Sequence, residues 1–252
     1  MNYSNDKMEM DFTIKSYKQL IRTLKNHKYN CIFYDELGSF ETEIMIRHDI
    51  DFSLEKALEI AILEYELKVK STFFLLIGSP FYNIHDKRSK YIIKRIVSLG
   101  HKIGLHFDQT VYEDMSIESI MSNTLEEIKI LSIAVGSNIN VVSFHRPSKY
   151  LLDSNIMYPN GIINTYSEKF FKEVTYISDS RMNWKKNPFS ILSDLEHKKV
   201  QLLMHPIWYN HEIKDASMVL RDFYNLTVHN VYDNMSSNFT NLSEFLDKSV
   251  EK

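Results

Sequence analysis

The sequence predicts an α/β fold in which a parallel sheet is covered by helices on its outer side. Between residues 43 and 145, apolar runs of strand length alternate with segments whose apolar residues recur at helical spacing. The chain has 252 residues, of which 44% are hydrophobic and 25% charged, so it is long enough to bury a sizeable core in one large domain.

The first elements are a lead-in and a strand followed by a helix. Helical spacing predicts a helix over residues 17–27, a short strand follows near 31–34, and residues 1–42 form an N-terminal lead-in. The apolar run 43–51 ends in polar residues and predicts a buried strand that opens onto a site. Ser53 caps the next helix. Its predicted apolar stripe consists of Leu54, Ala57, Leu58, Ala61, Ile62 and Tyr65.

The same alternation continues to residue 145 and then changes. The predicted elements are, in order, a strand at 71–77, a helix through 92–97, a strand at 103–107, a helix over 117–131 and a strand at 141–145. Gly100 and Gly136 end the two helices. Gly104 lies two residues before His106, where the missing side chain leaves room in the wall of the barrel.

Helical periodicity fades after about Ser148. Short apolar runs remain at 161–166, 174–178 and 200–205, and the segment 216–252 is predicted to be helical. Because no linker, composition shift or internal repeat divides the chain, we predict one domain over residues 1–252.

Composition excludes several classes of function. Six glycines and neither glycine-rich phosphate motif argue against a loop that cradles phosphate. With 30 basic and 33 acidic residues, the net charge of -3 gives no electrostatic footprint for nucleic acid. No apolar stretch is long enough to span a membrane. Cys31 has no partner for an intrachain disulfide and the N-terminus is polar, so we expect a cytoplasmic protein with a small or uncharged partner.

Ionisable residues follow several of the predicted strands directly. They are His48, Asp49 and Asp51 on the first, His106 and Asp108 on the third, His145 and Arg146 on the fourth, and His205 on the last. In a parallel α/β fold the carboxyl ends of the strands share one edge, and ligands bind there. We therefore expect acid, base and metal-ligating groups to meet at that edge.

These motifs resemble, in order, those of the polysaccharide deacetylase family, the metal-dependent carbohydrate esterases named after the nodulation-factor deacetylase. The matching segments are 47–51, 100–106, 143–148, 178–184 and 203–205. The resemblance covers residues 44–209. It implies a distorted, incomplete (β/α) barrel of about seven parallel strands, a divalent metal and a carbohydrate substrate.

The resemblance also implies roles for particular residues. Asp49 would be the base and Arg146 would orient it, while His205 would be the general acid. Asp51 and His106 would bind the metal. Two departures matter: Ile50 separates the two aspartates, which are adjacent in the family, and the family's second metal histidine falls on Thr110. A divergent branch with a His-Asp-x-Asp first motif fits best, and its metal ligands have to be argued from the residues.

Strand geometry limits which of these residues can bind the metal together. Side chains alternate along an extended chain, so Asp49 and Asp51 share one face and His48 lies on the other. A catalytic zinc site needs three protein ligands and an open position for water. Asp51 and His106 supply two ligands, and we expect zinc as the metal. The candidates for the third ligand are, in order of preference, His145, Asp108 and His48.

The remaining candidates lie near the last two motifs. His205 would protonate the leaving amine while the metal polarises the acyl oxygen. Tyr166, Trp184, Trp208 and Tyr209 offer aromatic faces to a sugar ring, or are ordinary core and rim aromatics. Asp179 and Arg181 either support the site or form a surface ion pair.

The leading hypothesis is a metal-dependent hydrolase that removes an N-acyl group, most simply acetyl, from an amino sugar in a surface-glycan precursor. Two alternatives remain open. One is a C–N hydrolase that acts on a small non-sugar amide, and the other is a barrel that binds a glycan without hydrolysing it. The sequence leaves the oligomeric state undetermined.

Overall fold

A parallel sheet organises the chain in the computed structural model, which describes residues 9–194 and 196–248. Eight strands are found within these residues, and every pairing between them is parallel. They are β1 Asn30–Cys31, β2 Glu43–Ile50, β3 Thr72–Leu75, β4 Lys102–Phe107, β5 Val141–Phe144, β6 Ile163–Asn164, β7 Thr175–Ser178 and β8 Lys199–Met204.

The strand order confirms the predicted incomplete barrel. Seven strands follow one another as β6-β5-β4-β3-β2-β8-β7, and the short β1 pairs with the start of β2. The end strands β6 and β7 do not pair with each other among the described residues, so the sheet stays open along this seam. Every residue of β2 is buried, as expected for a central parallel strand covered on both faces. The carboxyl ends of the strands meet at one edge, which we call the mouth.

Helices precede or follow most of the strands. They are α1 Ile14–Asn26, α2 Leu54–Glu66, α3 Lys87–Ser98, α4 Ile117–Val135, α5 Lys149–Asp153, α6 Glu168–Phe171 and α7 Pro188–Ser193. Ser53 starts α2 as predicted, since its hydroxyl accepts the backbone N–H of Lys56. Gly136 ends α4 with a left-handed φ of 74°. After residue 148 the helices are short, in line with the fading periodicity.

Two local predictions were wrong. In α2, Ile62 and Tyr65 of the predicted stripe are 38% and 57% exposed, whereas Glu64 is fully buried. Hydrophobic periodicity could not place Glu64 inside, because its burial depends on hydrogen bonds from Tyr17 and Ser71, which lie in other segments of the chain. The strand predicted at 31–34 is shorter: only Asn30–Cys31 pairs with β2, and a 3₁₀ turn begins at Tyr34.

The interior of the barrel is packed with apolar side chains below the mouth. One cluster consists of Ile32, Tyr34, Met45, Phe74, Val141, Phe170 and Val174. Gly104 adjoins it, and a Cβ at this position would lie 2.5 Å from Cε1 of Phe74. The predicted need for space at Gly104 is therefore confirmed, and the Phe74 ring fills that space.

The chain divides into two compact units, one ending at His211 and the other beginning at Glu212. The second unit contains α8 Ala216–Asn238 and a 3₁₀ turn at Leu242–Glu244. The assignment of residues 1–252 to one domain stays a prediction. Within the described parts of the chain, no helix combines the length and the apolar character needed to cross a bilayer.

Candidate metal centre and active site

The end of β2 delivers one arginine and two aspartates to the mouth. Arg47, Asp49 and Asp51 are two residues apart, so they project from the same face of the strand. The Arg47 guanidinium donates from Nε to Oδ1 of Asp49 and from an Nη to Oδ2, both at 2.8 Å. This bidentate pair is buried, with Arg47 fully enclosed and Asp49 3% exposed.

Other groups complete the surroundings of Arg47. Its Nη atoms donate to the hydroxyl oxygens of Thr165 and Tyr166 at 3.2 and 3.1 Å. The guanidinium carbon lies 5.3 Å from the ring centroid of Phe74 and 4.7 Å from that of Tyr166. Although burial alone would raise the pKa of Asp49, the Arg47 charge holds that pKa below its usual value. Asp49 is therefore held as an anion.

The prediction that Arg146 orients Asp49 was wrong. The Arg146 side chain is 71% exposed and donates to Oδ2 of Asp108 at 3.4 Å. Its backbone lies in the left-handed region, with φ at 45°. Arg47, which donates to both oxygens of Asp49, takes the orienting role that the sequence motif assigned to Arg146.

Three side chains from three strand ends converge beside this pair. Oδ1 of Asp51 lies 3.2 Å from Nε2 of His106 and 3.3 Å from Nδ1 of His145. The two imidazole nitrogens are 3.2 Å apart. One ligand atom from each of the three residues lies within 4.8 Å of the other two, so the three atoms could hold one metal ion. The structure thus brings together Asp51 with both histidines named from the sequence.

The chemistry of these atoms fits a divalent metal. Oδ1 of Asp51 is buried and no hydrogen bond satisfies it in the described chain. Two imidazole nitrogens and one carboxylate oxygen are the ligand types that zinc takes in catalytic sites with an open position. Both histidines hold the pKa of Asp51 well below its usual value, against the effect of burial.

Ser143 orients the His106 ring. Its hydroxyl lies 2.7 Å from Nδ1 of His106, and the two residues face each other in the β4–β5 register. When Nδ1 carries the proton and donates to this hydroxyl, the Nε2 lone pair is directed at the cluster, as ligating histidines require. Sequence reasoning missed Ser143, although it lies two residues before His145 on the same face of β5.

The other two candidates for the third ligand lie elsewhere. Asp108 accepts hydrogen bonds from the backbone and hydroxyl of Thr110, at 2.9 and 2.7 Å, and pairs with Arg146. His48 is fully buried on the opposite face of β2, as the alternation rule predicts, and its Nε2 lies 3.0 Å from Oε1 of Glu64. Neither belongs to the cluster.

On the other side of Asp51, His205 is held by Asp179. Nδ1 of His205 lies 2.6 Å from Oδ1 of Asp179, and its Nε2 lies 3.8 Å from Oδ2 of Asp51. Asp179 is fully buried and also accepts the Tyr209 hydroxyl at 3.0 Å. Burial lowers the pKa of His205, but the Asp179 carboxylate outweighs it and raises the pKa to about 9. His205 is therefore protonated at neutral pH.

The predicted aromatic residues take different positions. Tyr166 is buried against Arg47 instead of offering an open face, with its hydroxyl bound to the guanidinium. Trp208 is 7% exposed, and its ring lies 6.5 Å from Phe52, which in turn stacks on Phe81 at 5.2 Å. Trp184 is half-buried and stacks on Phe12 at 6.5 Å. Arg181 is exposed and forms no ion pair with Asp179.

Comparison with known proteins finds solved structures but no sequence family. No protein-family model and no curated protein matches this sequence. The chain is similar to the Xyl-CE4 domain of a multidomain xylanase from the hindgut metagenome of Trinervitermes trinervoides. The two are 19% identical with a TM-score of 0.42, and the match covers 66% of this chain and 75% of that domain.

Two further similar structures belong to the same group. One is a CE4 family pseudoenzyme from Bacillus anthracis, at 12% identity and a TM-score of 0.44, where 74% of this chain matches 62% of that one. The other is a family 4 acetyl xylan esterase from Clostridium thermocellum in complex with a cobalt ion, at 15% identity and a TM-score of 0.36, covering 65% and 73%. All three are CE4 proteins. Their sequence identities and TM-scores are too low to assign a function to this chain, so its own residues are the basis for one.

Proposed function

We propose that this protein is a metal-dependent hydrolase that removes an N-acyl group from an amino sugar. The observation that carries the proposal is the convergence of Asp51, His106 and His145, whose ligand atoms lie 3.2 to 3.3 Å apart around a buried carboxylate oxygen without a hydrogen bond. A carboxylate paired with arginine and a histidine paired with aspartate flank this cluster on either side.

Amide hydrolysis needs a base for the attacking water and an acid for the leaving nitrogen. Oδ2 of Asp49 lies 3.6 Å from Nε2 of His106, so the Asp49 carboxylate faces the cluster and can accept a proton there. His205 faces it from the Asp179 side and can donate a proton to the leaving nitrogen. When bound by Asp51, His106 and His145, a divalent metal supplies positive charge that acidifies water and polarises a carbonyl.

Arg47 and Asp179 act as positioning residues in this scheme. Arg47 fixes both oxygens of Asp49, so the base keeps one orientation. Asp179 binds the backbone N–H and Nδ1 of His205, so Nε2 stays directed at Asp51. The more exposed aromatic side chains Phe52 and Phe81, which follow the ends of β2 and β3, suit stacking of a sugar ring. Zinc as the metal, acetyl as the acyl group and a cytoplasmic surface-glycan precursor as the substrate are the finer parts of the proposal.

The test begins with metal content and acetate release. The purified protein is loaded with zinc, its bound metal is measured by mass spectrometry, and acetate release is followed from N-acetylated sugars. We expect about one zinc per chain and turnover that chelation abolishes. His106→Ala should lose both, whereas the matched variant His27→Ala, on a half-buried histidine at the end of α1, should keep both.

Other outcomes would overturn the proposal in favour of a stated alternative. Full metal content with turnover of cyclic or small amides but of no sugar would indicate a C–N hydrolase with another substrate. Sugar binding without metal uptake at saturating zinc would indicate a glycan-binding barrel. Retention of zinc and turnover by His106→Ala would show that the metal site lies elsewhere.

A further inference from the structure

The mouth carries positive charge that the hydrolytic machinery does not use. Arg146 follows the cluster residue His145 directly, and Arg181 lies two residues after Asp179. Lys185 and Lys186 extend the same loop after β7, and all four side chains are exposed. The net charge of the whole chain is -3, so this local excess of cations does not follow from overall composition.

Most of these cations lack a close partner. Arg181, Lys185 and Lys186 take part in no hydrogen bond or ion pair with any residue that the structure describes. Arg146 makes one long contact, 3.4 Å to Asp108, whose other oxygen is already bound to Thr110. The acidic groups deepest in the mouth are already engaged: Asp49 with Arg47, Asp179 with His205, and Asp51 with His106 and His145. The negative charge of these groups is therefore not available to neutralise the exposed arginines and lysines at the mouth.

Both arginines also sit on unusual backbone. Arg146 and Arg181 have φ of 45° and 59°, and Met182 continues the left-handed stretch with 56°. This region is unfavourable for a residue with a Cβ and is concentrated at functional positions. One arginine follows β5 and the other follows β7, the strands after which His145 and Asp179 lie. Both arginine side chains are exposed at the mouth.

The loops that carry the two arginines border the same side of the mouth. Strand β5 pairs with β6, and the ring of Tyr166 just after β6 lies 6.4 Å from Tyr176 of β7. The carboxyl end of β6 therefore lies between the loops that follow β5 and β7. Arg146 and Arg181 stand on the seam side of the mouth, and the aromatic group of Phe52, Phe81 and Trp208 stands on the β2, β3 and β8 side.

We propose that Arg146 and Arg181 form a subsite for an anionic group of the substrate, so that the natural substrate is an acylated amino sugar that also carries a phosphate or carboxylate. This assignment rests on the proposed function, because it specifies the substrate of that site. The planar guanidinium fork matches the oxygens of either anion in a bidentate contact. An anion on the seam side would leave the sugar ring free to lie against the aromatic side.

Binding by isothermal titration calorimetry tests the subsite without requiring turnover. N-acetylglucosamine serves as the neutral ligand, N-acetylglucosamine 1-phosphate as the phosphorylated one and N-acetylmuramic acid as the carboxylated one. We expect at least one of the charged sugars to bind roughly fivefold more tightly than the neutral sugar. The preference should be present in chelator-treated protein as well, and should fall in 1 M salt, where screening acts over about 3 Å.

Substitutions assign the preference to the two arginines. Arg181→Asn and Arg146→Asn remove the charge with a residue that tolerates left-handed backbone, and each should reduce the preference severalfold while binding of the neutral sugar is unchanged. The control is Arg95→Gln, on an exposed arginine of α3, which should behave as the unmodified protein. Thermal melting monitored by circular dichroism checks that each variant is folded.

The outcomes separate this inference from the proposed function. A preference for a charged sugar that the Arg181→Asn variant loses, in a protein that releases no acetate, would leave the subsite standing and remove the deacetylase proposal. Acetate release from neutral sugars with no preference for either charged sugar would do the reverse. Failure of both charged sugars to bind, or a preference unchanged in both arginine variants, would overturn the subsite.

Discussion

Strand β2 carries buried ionisable side chains on both of its faces, and the two faces differ in how those groups are satisfied. The front cluster consists of Arg47, Asp49, Asp51, His106 and His145 and opens onto the mouth. The rear cluster consists of His48, Tyr17, Glu64, Ser71 and His101 and lies against α1 and α2. Each contains a carboxylate next to histidines, so residue types alone do not distinguish them.

Hydrogen-bond donors distinguish the two. In the rear cluster both carboxylate oxygens of Glu64 are satisfied: Oε1 accepts from the Tyr17 hydroxyl and Oε2 from the Ser71 hydroxyl, both at 2.6 Å. His101 is fixed in turn between the Ser71 hydroxyl and the carbonyl of Ala61. Nδ1 of His48 is the rear atom left without a partner in the described chain. In the front cluster it is an anionic oxygen, Asp51 Oδ1, that forms no hydrogen bond of good geometry in the described chain, although imidazole nitrogens of His106 and His145 lie 3.2 and 3.3 Å from it.

Burial and charge alone therefore do not define a reactive site. Donors that converge on a carboxylate hold it in place and stabilise the fold. Where nitrogen and oxygen lone pairs converge without well-placed hydrogen-bond donors, a metal cation can satisfy them instead. We therefore expect substitutions in the front cluster to affect metal binding and turnover, and substitutions in the rear cluster to affect stability.

The largest expected effect comes from removing one of the proposed metal ligands of the front cluster. His106→Ala should reduce acetate release by a factor of at least about 10³, since it removes one of the three proposed ligands and with it the positive charge of the metal that they would hold. Metal content measured on the purified variant should fall with activity. The rear variant His101→Asn should keep both, and loss of zinc from this variant would show that the rear cluster also supports the metal site.

The next effect comes from the Arg47–Asp49 pair. Arg47→Met leaves a buried carboxylate without its cation and should lower the free energy of unfolding by about 3–5 kcal/mol, measured by urea denaturation. Adding Asp49→Asn should recover part of this loss, because the uncompensated charge is gone. A single variant that loses less than about 1 kcal/mol would show that the pair contributes little.

In the rear cluster, Glu64→Gln should lower the free energy of unfolding by about 1–3 kcal/mol at pH 7 without changing metal content. Burial raises the pKa of Glu64, but His48 beside it holds the pKa below its usual value. This stabilisation is therefore present above the ordinary carboxyl pKa and is lost as the pH falls through the folded-state pKa. Glu66→Gln, on an exposed glutamate of the same helix, is the control.

Glu127 of α4 gives a smaller, opposite dependence on pH. It is buried without a cation, and although the Tyr112 hydroxyl donates to it at 2.6 Å, burial raises its pKa to about 7. The folded state thus binds the proton more tightly, so stability falls as the pH rises from about 4.5 to 7. Glu127→Gln should be about 1–2 kcal/mol more stable than the unmodified protein at pH 8 and equal to it near pH 4.5. Glu126→Gln, exposed on the same helix, should show no such trend.

Sequence predicted the framework of the site better than its details. The alternation rule placed Asp49 and Asp51 on one face and His48 on the other, and the shared edge of parallel strands brought His106 and His145 to Asp51. The same alternation applied one step earlier along the strand puts Arg47 beside Asp49, but the family motif directed attention to Arg146. The left-handed turn that moves Arg146 outward leaves no mark in a residue pattern.

Other errors came from tertiary contacts. The predicted apolar stripe of α2 omits Glu64, because a charged residue on a helix is normally solvated and the burial of this one depends on Tyr17, Ser71 and His48 from three other segments. Of the apolar runs in the second half of the chain, 174–178 and 200–205 nearly coincide with β7 and β8, whereas 161–166 is much longer than the strand it contains. Only Ile163–Asn164 of the run 161–166 pairs, because the length of a strand is set by its neighbour.

The separation of Arg47 from Asp49 by a single residue has a consequence for how the protein folds. Ion pairs between distant strands require a long loop to close before the charges meet, and the entropy lost grows with the length of that loop. Here the carboxylate and its cation are already neighbours in the unfolded chain. The fully buried charge of Arg47 therefore enters the interior with its counter-charge on the same short piece of backbone, whatever the order in which the other strands dock.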